Sequence, residues 1–349
     1  MSTSRSLLQS LLLPLPWLLL SCGDVVPEDA APPVPETAES DEVAPRLPEP
    51  MSVEGPMPTA PPAEAAVDCN VAPTARKDLV CWRWRCDRIN RSEGTWSGNL
   101  ASCTAGDISA AGRTNALRMV NLYRFLGGLS AVTTDATKNA AAQKCALMEH
   151  ANGMLSHTPP TTWKCYSSEG ATAAGRSNIA TAPGVSAVDL YMADPGNPTT
   201  IGHRRWILSR SLGPIGLGST LVGTAGYSCM HVIGGSGMAS YAYQAWPPPG
   251  PVPIEMWNAV SFAPLDTVGW TVQSDTINLT GATATLKDGS TVVPTSTTTL
   301  GSGYGSTYAI RFAPTSTSWR AQAGHTYNVT ITKTGMTPIT YAVQPTACP

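Results

Sequence analysis

Cysteine sets the first constraint on this chain. Nine are present, and eight of them (Cys69, Cys81, Cys86, Cys103, Cys145, Cys165, Cys229 and Cys348) are spread from the end of the first fifth of the chain to its penultimate residue. Disulfides persist in oxidising compartments, so four bridges would tie almost all of this stretch together. Eight partners admit on the order of a hundred connectivities. One pair is expected from local length: Cys145 with Cys165, where a helix end folding back would close a loop carrying His157. Cys81 and Cys86 form a CxxxxC with no second pair to match it, which is not the pattern of a zinc ribbon.

The ninth cysteine, Cys22, stands apart. Before it come one basic residue, Arg5, and an apolar run from Leu7 to Leu20 broken by Gln9, Ser10, Pro14 and Pro16. A spanning helix needs about 20 apolar residues; this run fits the apolar core of a secretory signal. Leu19-Leu20-Ser21-Cys22-Gly23 looks like a bacterial lipobox, whose cysteine becomes the lipidated first residue. A lipid on Cys22 also accounts for the odd cysteine count. Residues 1–21 are thus expected to be a lipoprotein signal peptide. The mature protein is expected in the bacterial cell envelope, extracytoplasmic or at the cell surface, with the membrane as its partner through Cys22.

From Asp24 to Val67 the chain holds eleven prolines, ten acidic residues and a single basic one, Arg46. Such a stretch buries too little apolar surface to offset the entropy of ordering. It reads as a linker over residues 22–67, reaching as far as ~130 Å at ~3.1 Å per residue. Setting aside these ten acids, with Arg5 and Arg46, leaves twenty basic against fourteen acidic residues, so the body from Asp68 onward carries a net charge of +6. No dense Lys/Arg stripe accompanies that excess, and nucleic acid is not an expected partner.

The body divides by pattern. Between Ala110 and Leu126 apolar residues recur at helical spacing, with Asp107 as a candidate cap and Gly127-Gly128 as a stop. A second helix is expected after Thr134 or Asp135, carrying Ala141, Cys145 and Met148 to a stop at Gly153. Ser186-Ala-Val-Asp189 resembles a capping box opening a short helix over Val188 to Ala193. Ile215–Gly218 and Tyr227–Ile233 read as short strands. Past Trp246-Pro-Pro-Pro-Gly250 the period changes to two: Ala282–Leu286 meets a hairpin turn at Asp288-Gly289, and Tyr327/Val329/Ile331 and Ile339/Tyr341/Val343 alternate. The expected fold is α+β: a helix-covered sheet in 68–250, then an all-β sandwich in 251–349 that folds independently and supplies no catalytic residue.

Several segments of the first domain carry a family resemblance. NALRMVNLYRFLGGL (Asn115–Leu129), AAAQKCALMEHANGMLSH (Ala140–His157), SNIA (Ser177–Ala180) and DLYMADPGNPTTIGHRRWIL (Asp189–Leu208), followed by GPIGLG, resemble in order the CAP superfamily. This family, also called the SCP domain, groups cysteine-rich secretory, antigen-five and pathogenesis-related-one proteins. The resemblance covers roughly residues 110 to 235. It implies an α-β-α sandwich with a cleft where two histidines and two acidic residues meet. His157 matches the first histidine and His203 the second. Ser177 stands where the family has the acid of Glu-Asn-Ile-Ala. The second acid is Asp194 or Asp189.

The expected cleft comprises His157, Ser177, Asn178, Asp194, His203 and His231, with His231 a possible third ligand. Loss of a carboxylate argues against divalent-metal binding, and neither a metal nor a cofactor is expected. The resemblance implies a non-catalytic binding or cell-surface role, with a lipid, sterol or cell-wall fragment as ligand. The alternative is a hydrolase using His157 and His203 as acid/base or metal ligands. GRSNIA is not a nucleophile elbow, and HRRW is not HExxH. His150 is expected on a helix surface and His325 at a surface or turn. Of Arg204 and Arg205, one is expected to cap a carboxylate and the other to face solvent. Trp82–Arg85 is expected to pack a disulfide loop, or else to form a binding surface.

Overall fold

The computed structural model describes residues 67–237 and 241–348; Cys22, the signal segment and the linker up to residue 66 lie outside the described residues. Helix α1 (Arg76–Cys86) contains Trp82–Arg85 and lays Arg76 and Arg83 over the Phe125 ring, while Trp84 meets Tyr123 edge-on. Helix α2 (Ala110–Leu126) is capped by Ser109, whose hydroxyl accepts from Gly112 N–H; Asp107 does not cap it, its carboxylate accepting instead from the Ile108 N–H and from Arg113. Helix α3 (Ala136–Asn152) opens on Asp135, which accepts from Lys138 N–H, and closes at Gly153 with φ 65°. Both ends of α3 follow the usual rules for caps.

After α4 (Ser168–Ala174) come strand β1 (Ser177–Ala180), helix α5 (Gly184–Ala193), helix α6 (Gly202–Ile207), and strands β2 (Gly216–Val222) and β3 (Ala225–His231). The three strands form an antiparallel sheet in the order β1-β3-β2. Its two faces are used differently because side chains alternate across a strand. Ile179 and Cys229 pack with Ala142, Cys145, Ala146, Ala173 and Ala174 of α3 and α4. Ala180, Leu217 and Met230 join the larger core with α2 and α5. On the α3 side a Cβ at Gly216 would strike the Lys138 backbone and one at Gly218 the Ala142 backbone. Glycine at both positions lets the helix lie close on the strand.

Helix α5 begins earlier than the capping-box reading placed it. Its first turn holds Ser186, and its free N–H groups at Val185 and Ser186 are taken by the Glu93 carboxylate at 2.6 and 2.8 Å, from a segment distant in sequence. Asp189 faces away to pair with Arg88 and Arg91 and to accept from the Tyr123 hydroxyl.

The remaining strands build two sheets. β4 (Gln244–Trp246), β6 (Trp270–Ser274), β9 (Thr295–Thr299) and β10 (Tyr308–Pro314) form one, in the order β4-β6-β10-β9. β5 (Gly250–Pro253), β7 (Thr283–Asp288), β8 (Thr291–Val293), β11 (Tyr327–Thr332) and β12 (Ile339–Thr346) form the other, in the order β5-β12-β11-β7-β8. A short helix, α7 (Leu265–Val268), leads into β6. The two alternating segments are strands, and they pair with each other: Tyr327 with Val343, Val329 with Tyr341, Ile331 with Ile339. Trp270 of β6 meets Tyr327 of β11 edge-on at 6.1 Å, so one aromatic cluster joins the two sheets. The fold is α+β.

Four disulfides are present among the described residues: Cys69–Cys86, Cys81–Cys348, Cys103–Cys165 and Cys145–Cys229. The expected Cys145–Cys165 bridge is therefore incorrect. Cys145 sits on the face of α3 that covers β3, fully buried, and its partner is the residue of β3 on the same face. Cys165 lies in the loop ahead of α4 and bridges to Cys103. Loop length alone does not reveal which face of a helix a cysteine occupies.

Candidate ligand-binding site

The site lies where α5, α6 and the start of β1 meet. Helix α5 ends at Asp194, in the left-handed region with φ 56°, and α6 begins after Ile201, whose φ of 45° is rare for a β-branched residue. Such backbone is kept only where its surroundings hold it. Here Ile201 is fully buried against Leu300 and Ala309, and its N–H donates to Asn197 O. The two turns bring Asp194 under the first turn of α6. Its Oδ2 accepts from His203 N–H at 2.9 Å and from Arg204 N–H at 3.4 Å; its Oδ1 accepts from Asn197 Nδ2 at 2.7 Å and lies 3.0 Å from His203 Nδ1. Nδ1 thus sits between Asp194 Oδ1 and the Asn197 amide, whose Nδ2 is 3.3 Å away, and the ring is tilted on Tyr191 at 5.2 Å. Asp194, not Asp189, is thus the acid that partners His203.

Strand β1 links the two histidine segments. Asn178 Nδ2 donates to His203 O at 3.1 Å, and Tyr191 donates its hydroxyl to Asn178 O or shares it with Ser228. On the opposite face Ser177 donates to Ala173 O at 2.6 Å, and His157 Nδ1 lies 2.9 Å from Ala174 O. Ser177 and His157 therefore end on successive carbonyls of α4. His231 stands directly across the sheet from Ser177. It is buried, and neither ring nitrogen meets a hydrogen-bond partner among the described residues. Burial, with Lys138 and Arg176 nearby, pushes its pKa down to about 4, so the ring is neutral at neutral pH.

A family comparison bears on this arrangement. Residues 117–233 match the family model described as CAP: Cysteine-rich secretory protein family. This part of the chain is a CAP domain. Neither the curated proteins nor the solved structures gave a match.

The divalent cation that the family resemblance implies is not fitted by these residues. Ser177 offers a hydroxyl already committed to a carbonyl, Asp194 is spent on three donors and lies against the His203 ring, and no three His, Cys, Asp or Glu side chains converge as ligands among the described residues.

The CAP domain also contains groups that its sequence did not single out. Glu149, next to His150 on α3, is fully buried, and its carboxylate accepts from Ser156 N–H, the residue before His157. Burial pushes its pKa up to about 8. Asn197, which steadies Asp194, also went unflagged; Asx chemistry in a loop rich in Pro and Gly is its only signal. His150 is not a surface residue: it is half-buried, stacked on Tyr227 at 4.8 Å and hydrogen-bonded to Thr220. Arg204 and Arg205 are both buried, against the expectation of one capping a carboxylate and one facing solvent. Arg204 donates to Met192 O, Ala193 O and Gly269 O; Arg205 donates to Thr200 O, Gly301 O and Ser306 O. The two arginines fasten the CAP domain to the chain that follows it. His325, in the β region, pairs with Asp288 beside the β7–β8 turn.

Proposed function

We propose that this protein is an exported, membrane-tethered CAP-domain protein that binds a ligand through the cleft flanked by His157 and His203 without turning it over. The observation that carries the reading is the engagement of the acids and hydroxyls around the histidines. Asp194 is saturated by backbone and side-chain donors, and Ser177 is bonded inward to Ala173 O. An imidazole held in place by Asp194 and Asn197 is suited to recognition. It would also suit a general base, and the Asp194–His203 pair is the observation that favours the hydrolase alternative. That alternative lacks an activated nucleophile: among the described residues no hydroxyl or thiol bonds to His203.

Calorimetric titration with zinc separates the two. The binding reading expects little heat from the wild type and a gain for Ser177→Glu, which restores a carboxylate; carboxylate loss weakens metal affinity by roughly 10- to 100-fold. Tight zinc binding by the wild type, abolished by His157→Ala, would promote the hydrolase.

Tethering is supported by the lipobox at Cys22 and by the four disulfides, which suit an oxidising compartment. No described helix is long and apolar enough to cross a membrane. Intact mass of membrane-extracted protein is expected to show a chain starting at a lipidated Cys22; an unmodified Cys22 or cleavage elsewhere refutes the tether. The ligand proposed, by the family resemblance, is a lipid, a sterol or a cell-wall fragment.

A further inference from the structure

A cavity of about 170 Å³ lies at the other end of α6 from His203, between the α2–α3 connection and the α6–β2 connection. Its lining includes Arg124, Ser130, Val132, Arg210, Leu212 and Pro214, and no acidic residue. Arg124 is 2 % exposed, yet among the described residues no carboxylate pairs with it. Its Nε donates to Ser130 O at 2.8 Å, and its Nη1 donates to Ile207 O at 2.8 Å and Ser209 O at 3.0 Å. Nη2 makes no bond to the described protein and is not among the atoms sealed from solvent. Arg210 is held only loosely, its Nε 3.9 Å from Asp275 and its side chain 32 % exposed.

A buried cation without a counter-charge is costly. Here the cost is visible as a guanidinium whose pKa burial pushes down to about 10, offset only by the neighbouring Tyr241. An anion in the cavity would supply the missing charge, and the carbonyls that already hold Arg124 fix its direction in advance. With Nε and Nη1 committed, Arg124 has Nη2 alone to offer, one charge-assisted N–H···O⁻ bond, and Arg210 stands on the same cavity lining to supply a second. Val132, Leu212 and Pro214 give the walls an apolar character. At ~30 Å³ for each water-sized group, the space takes about six such groups.

We propose that this cavity is a second ligand site, separate from the histidine cleft, that binds a compact carboxylate with a small apolar body, Arg124 Nη2 and Arg210 gripping the oxyanion. The charge balance of the body, +6 from Asp68 onward, favours approach of such a ligand.

The test is calorimetric and NMR titration of the whole chain with isobutyrate, acetate, phosphate and chloride at matched ionic strength. Isobutyrate is expected to bind more tightly than acetate, to shift the amides of 130–133 and 210–213, and to leave His203 undisturbed. Arg210→Ala should weaken isobutyrate by about tenfold, the effect of one charge-assisted hydrogen bond, and Arg210→Lys should recover part of it. Arg210 is partly exposed, so the variant's thermal melt is expected to match the wild type; should it fall, Arg210→Gln reads the same loss. Equal binding by the wild type and an Arg210 variant, chloride as effective as isobutyrate, or binding of phosphate alone would each overturn the proposal.

Discussion

Arg204→Ala is expected to destabilise the protein by on the order of 5 kcal/mol and to loosen the helical part from the chain beyond Gly269. Arg204 is fully buried, and burial pushes its pKa down to about 10, so it remains charged at neutral pH. Its three bonds end on Met192 O at 2.7 Å, Ala193 O at 3.0 Å and Gly269 O at 2.7 Å. Met192 and Ala193 close α5, whose last carbonyls form the negative end of the helix dipole. Gly269 leads into β6. The guanidinium thus bridges the C-terminus of one helix and the start of a strand in the following region. Alanine would leave three interior carbonyls without donors, each costing ~1–3 kcal/mol, together with a cavity. Lysine reaches with a single ammonium and should recover only part of the loss. Denaturant unfolding followed by circular dichroism measures the change. Because Arg204 N–H and His203 N–H share Asp194 Oδ2, the His203 ring resonances should also shift in the variant. A loss below ~1 kcal/mol would show that water replaces the guanidinium and that the bridge is not what holds the two regions together.

What could be read from the sequence, and what could not, divides by the range of the interaction. Helix α3 was legible at both ends because Asp135 and Gly153 act on backbone groups within a few residues of themselves. The Asp288-Gly289 turn and the alternation within Tyr327–Ile331 and Ile339–Val343 were legible because a hairpin turn is local and strand side chains alternate. The two histidine segments were placed by resemblance rather than by periodicity. Long-range polar contacts left no trace. Glu93 caps α5 across the chain, so the local Ser186/Asp189 spacing pointed to a start that the helix does not use. Arg204 and Arg205 look like one carboxylate partner and one solvent-facing charge until the carbonyls they satisfy are known. The Cys145 partner depended on a helix lying close to a strand, which in turn depended on Gly216 and Gly218. Asp194 was one of two candidates, and the choice turned on left-handed turns at Asp194 and Ile201 that non-glycine residues seldom make.

Glu149→Gln is expected to remove a pH dependence of stability worth roughly 5 kcal/mol. The carboxyl is fully buried, and its pKa is raised from 4.5 to about 8 by burial, with the Ser156 N–H pulling part of the way back. Below pH 4.5 the group is protonated whether the chain is folded or not, and it exacts no penalty. Between 4.5 and 8 the unfolded chain releases the proton while the folded chain keeps it, so the folded state binds more protons and stability falls as pH rises. Above about 8 both states are ionised and the full cost of a buried carboxylate persists. At ~1.36 kcal/mol per pKa unit the shift gives the magnitude stated. Glutamine keeps an oxygen to accept from Ser156 N–H and carries no charge, so the variant should be more stable than wild type at pH 9 and nearly equal to it at pH 4. Comparing the two proteins cancels His231, whose lowered pKa acts in the opposite sense between about 4 and its usual 6.5. Urea unfolding at a series of pH values is the measurement, paired with the Ser156 amide shift in the wild type. That amide should titrate with a midpoint near 8, because it is the hydrogen bond that reports the proton, and it immediately precedes His157. Parallel stability curves for the two proteins, or a Ser156 midpoint near 4.5, would mean that Glu149 is ionised in the folded state at neutral pH and that the loop carrying His157 rests on a carboxylate.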